Sequence, residues 1–362
     1  MKKLWESEAF KGEVPDGFNG LVGWQSPSNI AIVKYWGKKG HQLPQNPSIS
    51  FTLSECRTET SIAFEKTDRF GFSFFFEGKE NPAFGAKIEK FLMDNQAFFP
   101  FLNQLNLKVE SRNTFPHSSG IASSASSMSA FVMCLMEVER SLSLSKGRPI
   151  EINLQKASKF SRLASGSACR SVFPQMALWG RTEAYEGSSD EYAVSLENDI
   201  HPVFKSYRDS ILIVSGETKS VSSRSGHALM EGNPYASARY AQANENIKNL
   251  LSALKSGDLD TFINITESEA LQLHALMMCS NPSFILMKPN TLKLINEIRH
   301  FRDETKFPVC FTLDAGPNVH LLYPESVAPQ TESFIRTTLS PYCIGNQWIA
   351  DRMGNGPEKL NP

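Results

Sequence analysis

Asn113-Thr-Phe-Pro-His-Ser-Ser-Gly-Ile-Ala-Ser-Ser-Ala-Ser126 is small, hydroxyl-rich and almost free of charge, and it runs straight into a helical pattern. Such a stretch offers many backbone N–H groups and few side chains that would block an approaching anion. At a helix N-terminus the helix dipole adds positive potential at the same place. Ala122, Ala125 and Ala130 are poor loop residues and good helix residues. The serines are therefore expected on a first helical turn. On these residues a phosphate cradle is the favoured reading and a plain surface connection the alternative. Neither a Gly-x-x-x-x-Gly-Lys-Ser/Thr run nor a dinucleotide fingerprint accompanies it.

Outward from this loop, residues 107–111 read as a short strand feeding it. The helix beyond carries Met128, Phe131, Val132, Leu135, Met136 and Val138 at apolar positions. Upstream, 24–32 and 48–53 read as strands, and 60–64 with 70–76 as a hairpin turning at 66–69. Residues 84–98 read as a helix, and 150–164 as another after Gly147 and Pro149. A strand is expected at 210–215. Helices follow at 235–254, 259–278 and 290–305, then strands at 309–313 and 319–323. Strands dominate early and helices late without regular alternation, which predicts an α+β fold. The change of character predicts two units, 1–205 and 206–362.

Composition sets the limits. The chain has 362 residues, 41% hydrophobic and 21% charged, with a formal net charge of −1. No overall field draws it to nucleic acid or an anionic membrane, so an anionic ligand must be held by local charge. No secretory leader or membrane-spanning run is read. The six cysteines are scattered with no Cys-x-x-Cys pair, which reads as reduced thiols in a cytoplasmic protein. Six of the histidines (His117, His201, His227, His274, His300 and His320) share no metal-ligand spacing, and Cys169 has no histidine partner in sequence.

Four further segments carry candidate chemistry. Lys34, Tyr35 and Lys38 crowd one turn beside Gly37, where two ammonium groups can meet a polyanion or simply remain solvated. Residues 164–171, Ala-Ser-Gly-Ser-Ala-Cys-Arg-Ser, lead small side chains to Arg170, which can fork onto a carboxylate or phosphate. Residues 219–226 form a second polar, basic loop with Ser223 and Arg224. Asp314, in Leu313-Asp-Ala-Gly-Pro-Asn318, ends a strand and is either a base for a hydroxyl nucleophile or an Asx turn. Glu267 and Glu269 stand two apart on a helix and cannot face one target.

Taken together, these segments resemble the diphosphomevalonate decarboxylase family of the GHMP kinase superfamily. The resemblance rests on 29–38 (Asn-Ile-Ala-Ile-Val-Lys-Tyr-Trp-Gly-Lys), 43–46, 48–53, 120–126, 165–171, 221–226 and 314–318, in family order. It implies a ribosomal protein S5 domain 2-like N-terminal domain, a ferredoxin-like C-terminal domain and an active site in the cleft between them. It also implies ATP-dependent decarboxylation of diphosphomevalonate with Mg2+, through phosphorylation at the C3 hydroxyl, in a homodimer. By residue match, Asp314 is the base, Arg170 holds the substrate carboxylate and Lys34 adds positive charge. Tyr35, Lys38, Ser165, Ser167, Ser223 and Arg224 match substrate-binding positions. Ser118, Gly120, Ala122, Ser123, Ser124 and Ser126 match the ATP loop, with Ser126 the candidate Mg2+ ligand.

The chain departs from the family at three places. His117-Ser118-Ser119 stands where Thr-Ala-Ala is usual, Pro174-Gln175 where Gly-Gly is usual, and Pro47 where a serine is usual. None removes a matched catalytic group. A decarboxylase of the 5-monophosphate, a 3-kinase that stops before CO2 loss, and a non-catalytic ligand-binding homologue are the alternative readings.

Overall fold

Two long strands organise the first half of the computed structural model, which describes residues 12–116, 121–217 and 223–361, with backbone only for 223 and 224. Strand β1 (Asn19–Val33) lies antiparallel to β4 (Ser48–Lys66), and the short β2 (Lys38–Lys39) and β3 (Leu43–Pro44) form a ribbon between them. Next come β5 (Gly71–Phe76), β6 (Lys79–Glu80), α1 (Pro82–Asp94) and β7 (Leu105–Asn113). Helix α2 (Ser123–Ser145) follows the Ser/Gly stretch and packs on β1 and β4. Then come α3 (Leu154–Ala164), a 3-10 turn at Gly166–Cys169, β8 (Met176–Trp179), β9 (Ala193–Ser195) and α4 (Pro202–Lys205).

The second half opens with β10 (Arg208–Leu212) and α5 (Ser223–Ala228). Three long helices follow: α6 (Ala236–Ser256), α7 (Leu259–Met278) and α8 (Pro289–Thr305). Strands β11 (Cys310–Leu313) and β12 (Val319–Tyr323), helix α9 (Ala328–Phe334), a π-helical turn at Ile335–Leu339, β13 (Trp348–Arg352) and β14 (Glu358–Leu360) complete the chain. The second sheet has the order β11-β12-β10-β13, all antiparallel. Strand β14 returns to the first sheet and pairs with β1, giving β14-β1-β4-β7-β5-β6, with β8 paired to β4 and β9 to β8.

Two sequence expectations are corrected. Residues 60–64 and 70–76 do not form a hairpin: β7 lies between β4 and β5, and β5 pairs with it in parallel. Residues 48–53 and 60–64 belong to one strand, β4, whose irregular middle is held from outside. Asp351 accepts from the backbone N–H groups of Ser54, Glu55 and Cys56 at 2.7, 2.9 and 2.8 Å, satisfying donors that the strand ladder leaves unpaired there.

The halves share apolar core. Ile30, Ile32, Val33, Ile49 and Phe51 of the first sheet cluster with Tyr207, Ile211, Ile247, Leu250 and Phe262 of the second half. The C-terminal end of β1 therefore runs directly into packed helices α6 and α7. That junction places the Lys34–Lys38 turn.

Candidate active site

Lys34 follows the last residue of β1 and is only 2% exposed. Its peptide is held from several sides. The backbone N–H donates to Glu269 on α7 at 2.8 Å, and the carbonyl accepts from Asn46 at 3.0 Å and Arg239 on α6 at 3.3 Å. Its ammonium donates to the Ala31 carbonyl at 2.5 Å. Burial pushes the Lys34 pKa down to about 8, Arg170 adds to the shift, and the carboxylates of Asp314, Glu269 and Asp209 oppose it. Lys34, Arg170 and Asp314 therefore share one electrostatic neighbourhood, although 280 residues separate the outermost two (314 − 34).

Arg170 follows the 3-10 turn and is also 2% exposed. One guanidinium nitrogen donates to the Ser48 hydroxyl and another to Asn29 Oδ1 at 3.3 Å. Its Nε has no hydrogen-bond partner, and its plane lies 5.9 Å from the Trp179 ring. Among the described residues no carboxylate lies within ion-pair distance of it. Asn29, which the sequence reading quoted only as part of a run, fixes this arginine. Its amide also donates to the Ser171 hydroxyl at 2.7 Å and the Ser167 carbonyl at 3.3 Å.

The turn after Lys34 is built from aromatic contacts. Tyr35 lies 4.5 Å from Trp179 and 4.3 Å from His227, and Trp36 lies 4.7 Å from His227. Gly37 has φ +87, and a Cβ there would meet the Tyr240 hydroxyl at 2.1 Å, so only glycine fits. A Cβ on Gly166 would likewise press on the Tyr35 hydroxyl at 2.9 Å. Lys38 reaches Gln42 at 3.3 Å and lies in the field of His227, together with Arg170 and Asp314.

Asp314 begins the loop between β11 and β12 and is half-buried. His274 donates from Nε2 to its carbonyl at 3.1 Å. Asn318 ties the loop to β10, accepting from the N–H groups of Val214 and Ser215 at 2.8 and 3.0 Å. Thr291 donates to the Pro317 carbonyl at 2.7 Å. A loop so anchored holds a carboxylate in place without needing bulk beside it.

Ala122, a left-handed residue (φ 38), precedes helix α2, and among the described residues no side chain caps it. The Ala125 N–H donates back to the Ala122 carbonyl at 2.8 Å, which leaves the N–H groups of Ser123 and Ser124 to meet an anion. Ser123 is partly buried and Ser124 exposed, with the Ser124 hydroxyl 3.5 Å from that of Ser165. Ser126, the residue matched to a Mg2+ ligand, lies on the inner face of the helix. It is fully buried, 2.6 Å from the Thr58 hydroxyl, and donates to the Ser123 carbonyl, because its position on the helix faces β4. Ser118 and Gly120, with His117 and Ser119, lie outside the described residues, as do the side chains of Ser223 and Arg224.

The two glutamates of α7 face different targets, Glu267 meeting Arg302 and Arg299 while Glu269 meets Arg239. Sequence reasoning set Glu269 aside, yet it touches the candidate site. Cys169 is fully buried and its thiol pKa is pushed up to about 12. Among the described residues no group of three His, Cys, Asp or Glu is placed to hold a metal ion. No helix among them is long and apolar enough to cross a membrane.

Comparison with known proteins supplies the family. Residues 26–193 match the diphosphomevalonate decarboxylase-like N-terminal domain, and residues 210–358 match the mevalonate 5-diphosphate decarboxylase C-terminal domain. A diphosphomevalonate decarboxylase from Debaryomyces hansenii is 31% identical over 314 residues, 82% of this chain and 78% of that protein. The crystal structure of mevalonate diphosphate decarboxylase from Staphylococcus aureus superposes with a TM-score of 0.80 at 26% identity, over 95% of this chain and 99% of that one. A chain designated MDDEF, solved with MVAPP, AMPPCP and magnesium, gives a TM-score of 0.78 at 26% identity, over 95% of this chain and all of that one. These matches confirm the mixed α and β architecture of the GHMP kinase fold. With both halves matched in order and the identity carried over most of its length, the chain belongs to the diphosphomevalonate decarboxylase family.

Proposed function

We propose that this enzyme catalyses the ATP-dependent decarboxylation of (R)-5-diphosphomevalonate to isopentenyl diphosphate, ADP, phosphate and CO2, by way of phosphorylation at the C3 hydroxyl. The observation that carries this reading is Arg170, a fully buried cation with no carboxylate at ion-pair distance among the described residues, in the field of Asp314 and Lys34. Burying an unpaired guanidinium is costly. A substrate carboxylate would complete it with short, charge-assisted bonds.

ATP with Mg2+ supplies the transferable phosphoryl group. The uncapped start of α2, with Ser123 and Ser124, suits the ATP phosphates. Mg2+ takes phosphate oxygens and waters readily, so the lack of a carboxylate cluster among the described residues is compatible with it. Ser124, exposed on the first turn, is a better placed hydroxyl for it than the buried Ser126.

The chain's own groups divide the work. A tertiary hydroxyl is a weak nucleophile, and Asp314 removes its proton as the phosphoryl group arrives. Arg170 holds the carboxylate next to the reacting carbon. Lys34 stabilises negative charge on the transferring phosphate. When phosphate leaves C3, the electrons of the bond to the carboxyl carbon form the C2–C3 double bond and CO2 departs. Tyr35, Lys38, Ser165, Ser167, Ser223 and Arg224 take the rest of the substrate. The 1–205 and 206–362 units flank this cleft, in line with the matched family models and the two sheets. A cytoplasmic homodimer completes the proposal. The family resemblance supports the dimer, and six free cysteines, five of them buried, support a reducing compartment.

The test is a coupled assay of ADP and CO2 release with mevalonate, its 5-phosphate and its 5-diphosphate side by side. Equal ADP and CO2 with the diphosphate alone is the expected result. ADP without CO2 would identify a 3-kinase, a monophosphate preference the other decarboxylase, and no ADP at all a non-catalytic homologue.

A further inference from the structure

Lys34 is delivered by a strand of the first sheet, but its peptide is gripped by side chains of two helices from the second half. Glu269 on α7 is fully buried and accepts four hydrogen bonds. They come from the Lys34 N–H at 2.8 Å, two nitrogens of Arg239 at 3.0 and 2.6 Å, and the Asn246 amide at 2.6 Å. Arg239, on α6, also donates to the Lys34 carbonyl at 3.3 Å. Both backbone polar groups of Lys34 are thus bound by the two members of one buried ion pair.

We propose that Glu269 and Arg239 are positioning residues for the decarboxylation, fixing where Lys34 stands in the cleft and setting the negative potential that keeps its ammonium charged. The inference rests on the reading of Lys34 as a site residue. Three lines of argument carry it.

A buried ion pair is seldom maintained for stability alone, since well-packed apolar residues commonly do as well or better. This one is fully engaged, and its engagement is directed at Lys34. Next, Lys34 loses solvent on entering the protein, which favours the neutral amine. The charged groups facing it are Asp314 from the β11–β12 loop, Glu269 from α7 and Asp209 from β10, which hold the proton on, and Arg170, which works against it. Asp314 is to act as a base and Asp209 is bonded to His320 at 2.7 Å, while Glu269, itself paired with Arg239, is the carboxylate in contact with the backbone of Lys34. Third, the clamp joins the halves. Any displacement of α6 or α7 relative to β1 moves Lys34, so placement of the cation is coupled to the junction of the two sheets.

The test is the pH dependence of kcat/KM for ATP-dependent turnover of diphosphomevalonate, which reports groups of the free enzyme. The wild type is expected to lose activity as pH rises through about 8, where Lys34 deprotonates. Glu269→Gln removes the countercharge, and the alkaline limb should move to lower pH by about one unit. The double variant Arg239→Met with Glu269→Leu removes both charges together and keeps an apolar fill; because loss of the Arg239 cation partly offsets loss of the carboxylate, the limb should move the same way by a smaller step. A limb that stays put in both variants overturns the proposal, whatever happens to kcat. Lys34→Arg separates this from the underlying reading, because a guanidinium does not titrate in this range. Loss of the limb in Lys34→Arg with no movement in Glu269→Gln rejects the clamp alone. A limb unchanged in Lys34→Arg rejects Lys34 as the titrating site residue.

Discussion

The backbone N–H of Gly37 donates to Nδ1 of His227 at 3.0 Å. A backbone amide can only donate, so Nδ1 carries the lone pair and the proton sits on Nε2. The ring lies against both Tyr35 and Trp36, which joins the Lys34–Lys38 turn to the segment bearing Ser223 and Arg224.

That bond has a pH signature. Burial, with Lys38 and Arg170 nearby, pushes the His227 pKa down to about 3 from 6.5. The folded ring stays neutral where an unfolded histidine takes up a proton, so this residue costs stability as pH falls from about 6.5 toward 3 and is silent above. Nitrogen-15 spectra of labelled histidine at pH 5.5 should show one neutral ring protonated at Nε2. A charged imidazolium at that site would refute the assignment. His227→Ala should raise KM for the substrate several-fold with little change in kcat, since it loosens binding groups and leaves Asp314 in place.

Arg170→Met is expected to separate function from stability. Among the described residues the buried arginine has no partner for its Nε and no carboxylate at ion-pair distance. Replacing it with an apolar side chain should leave the melting temperature unchanged or higher, while kcat/KM falls by about a hundredfold or more. A large loss of stability together with intact kcat/KM would show the residue to be structural.

For Asp314→Asn, turnover should drop by roughly two to four orders of magnitude, the usual scale for a general base. Nucleotide affinity, measured by fluorescence titration with an ATP analogue, should stay within about twofold, a bound set on the order of 0.4 kcal/mol. Normal turnover in this variant would remove the base from the mechanism.

Gln175 is a position where sequence and backbone disagree. It has φ 53, a left-handed conformation, and its side-chain oxygen is buried without a hydrogen bond. Its carbonyl accepts from the Thr52 N–H at 2.8 Å and its N–H donates to Gly354 at 2.9 Å, so the conformation is locked from both sides. Left-handed backbone costs a side-chain-bearing residue roughly 1–2 kcal/mol. Gln175→Gly should therefore stabilise the fold by about 1 kcal/mol, whereas Gln175→Ala should retain the strain. Calorimetric melting temperatures of the pair decide it, and destabilisation by glycine would contradict the account. Here the family's usual glycine explains itself through its backbone angle.

Much of the site was legible because its chemistry is packed into short runs. Lys34, Tyr35 and Lys38 share one turn, Arg170 ends a small-residue segment, and Asp314 ends a strand. What escaped the sequence were partners supplied from afar. Glu269 looked like one of two ordinary helix carboxylates, and only the packing of α7 against the end of β1 shows which one turns inward. Asp351, which supports the middle of β4, lies almost 300 residues from the N–H groups it satisfies. The 60–76 hairpin was misread for a related reason. Local turn chemistry at 66–69 was sound, but β7 competed for the same edge and took it. Helix boundaries fared better, since capping is local: α7 begins after Asp258, whose side chain accepts from the Thr261 N–H at 3.0 Å.

The pairing of β14 with β1 bears on how this chain can be made. Gln25 and Glu358 are hydrogen-bonded at 2.7 Å although they are 333 residues apart, and Arg57 adds an ion pair to Glu358 at 2.9 Å. During synthesis the edge of β1 at residues 23–25 must therefore wait, unpaired, until residues 358–360 have left the ribosome. Contacts of such long range slow folding and leave strand edges exposed meanwhile. A nascent chain halted before residue 358 would carry a complete set of proposed catalytic side chains and an unfinished sheet. Chaperone dependence is expected to fall sharply as that last strand emerges.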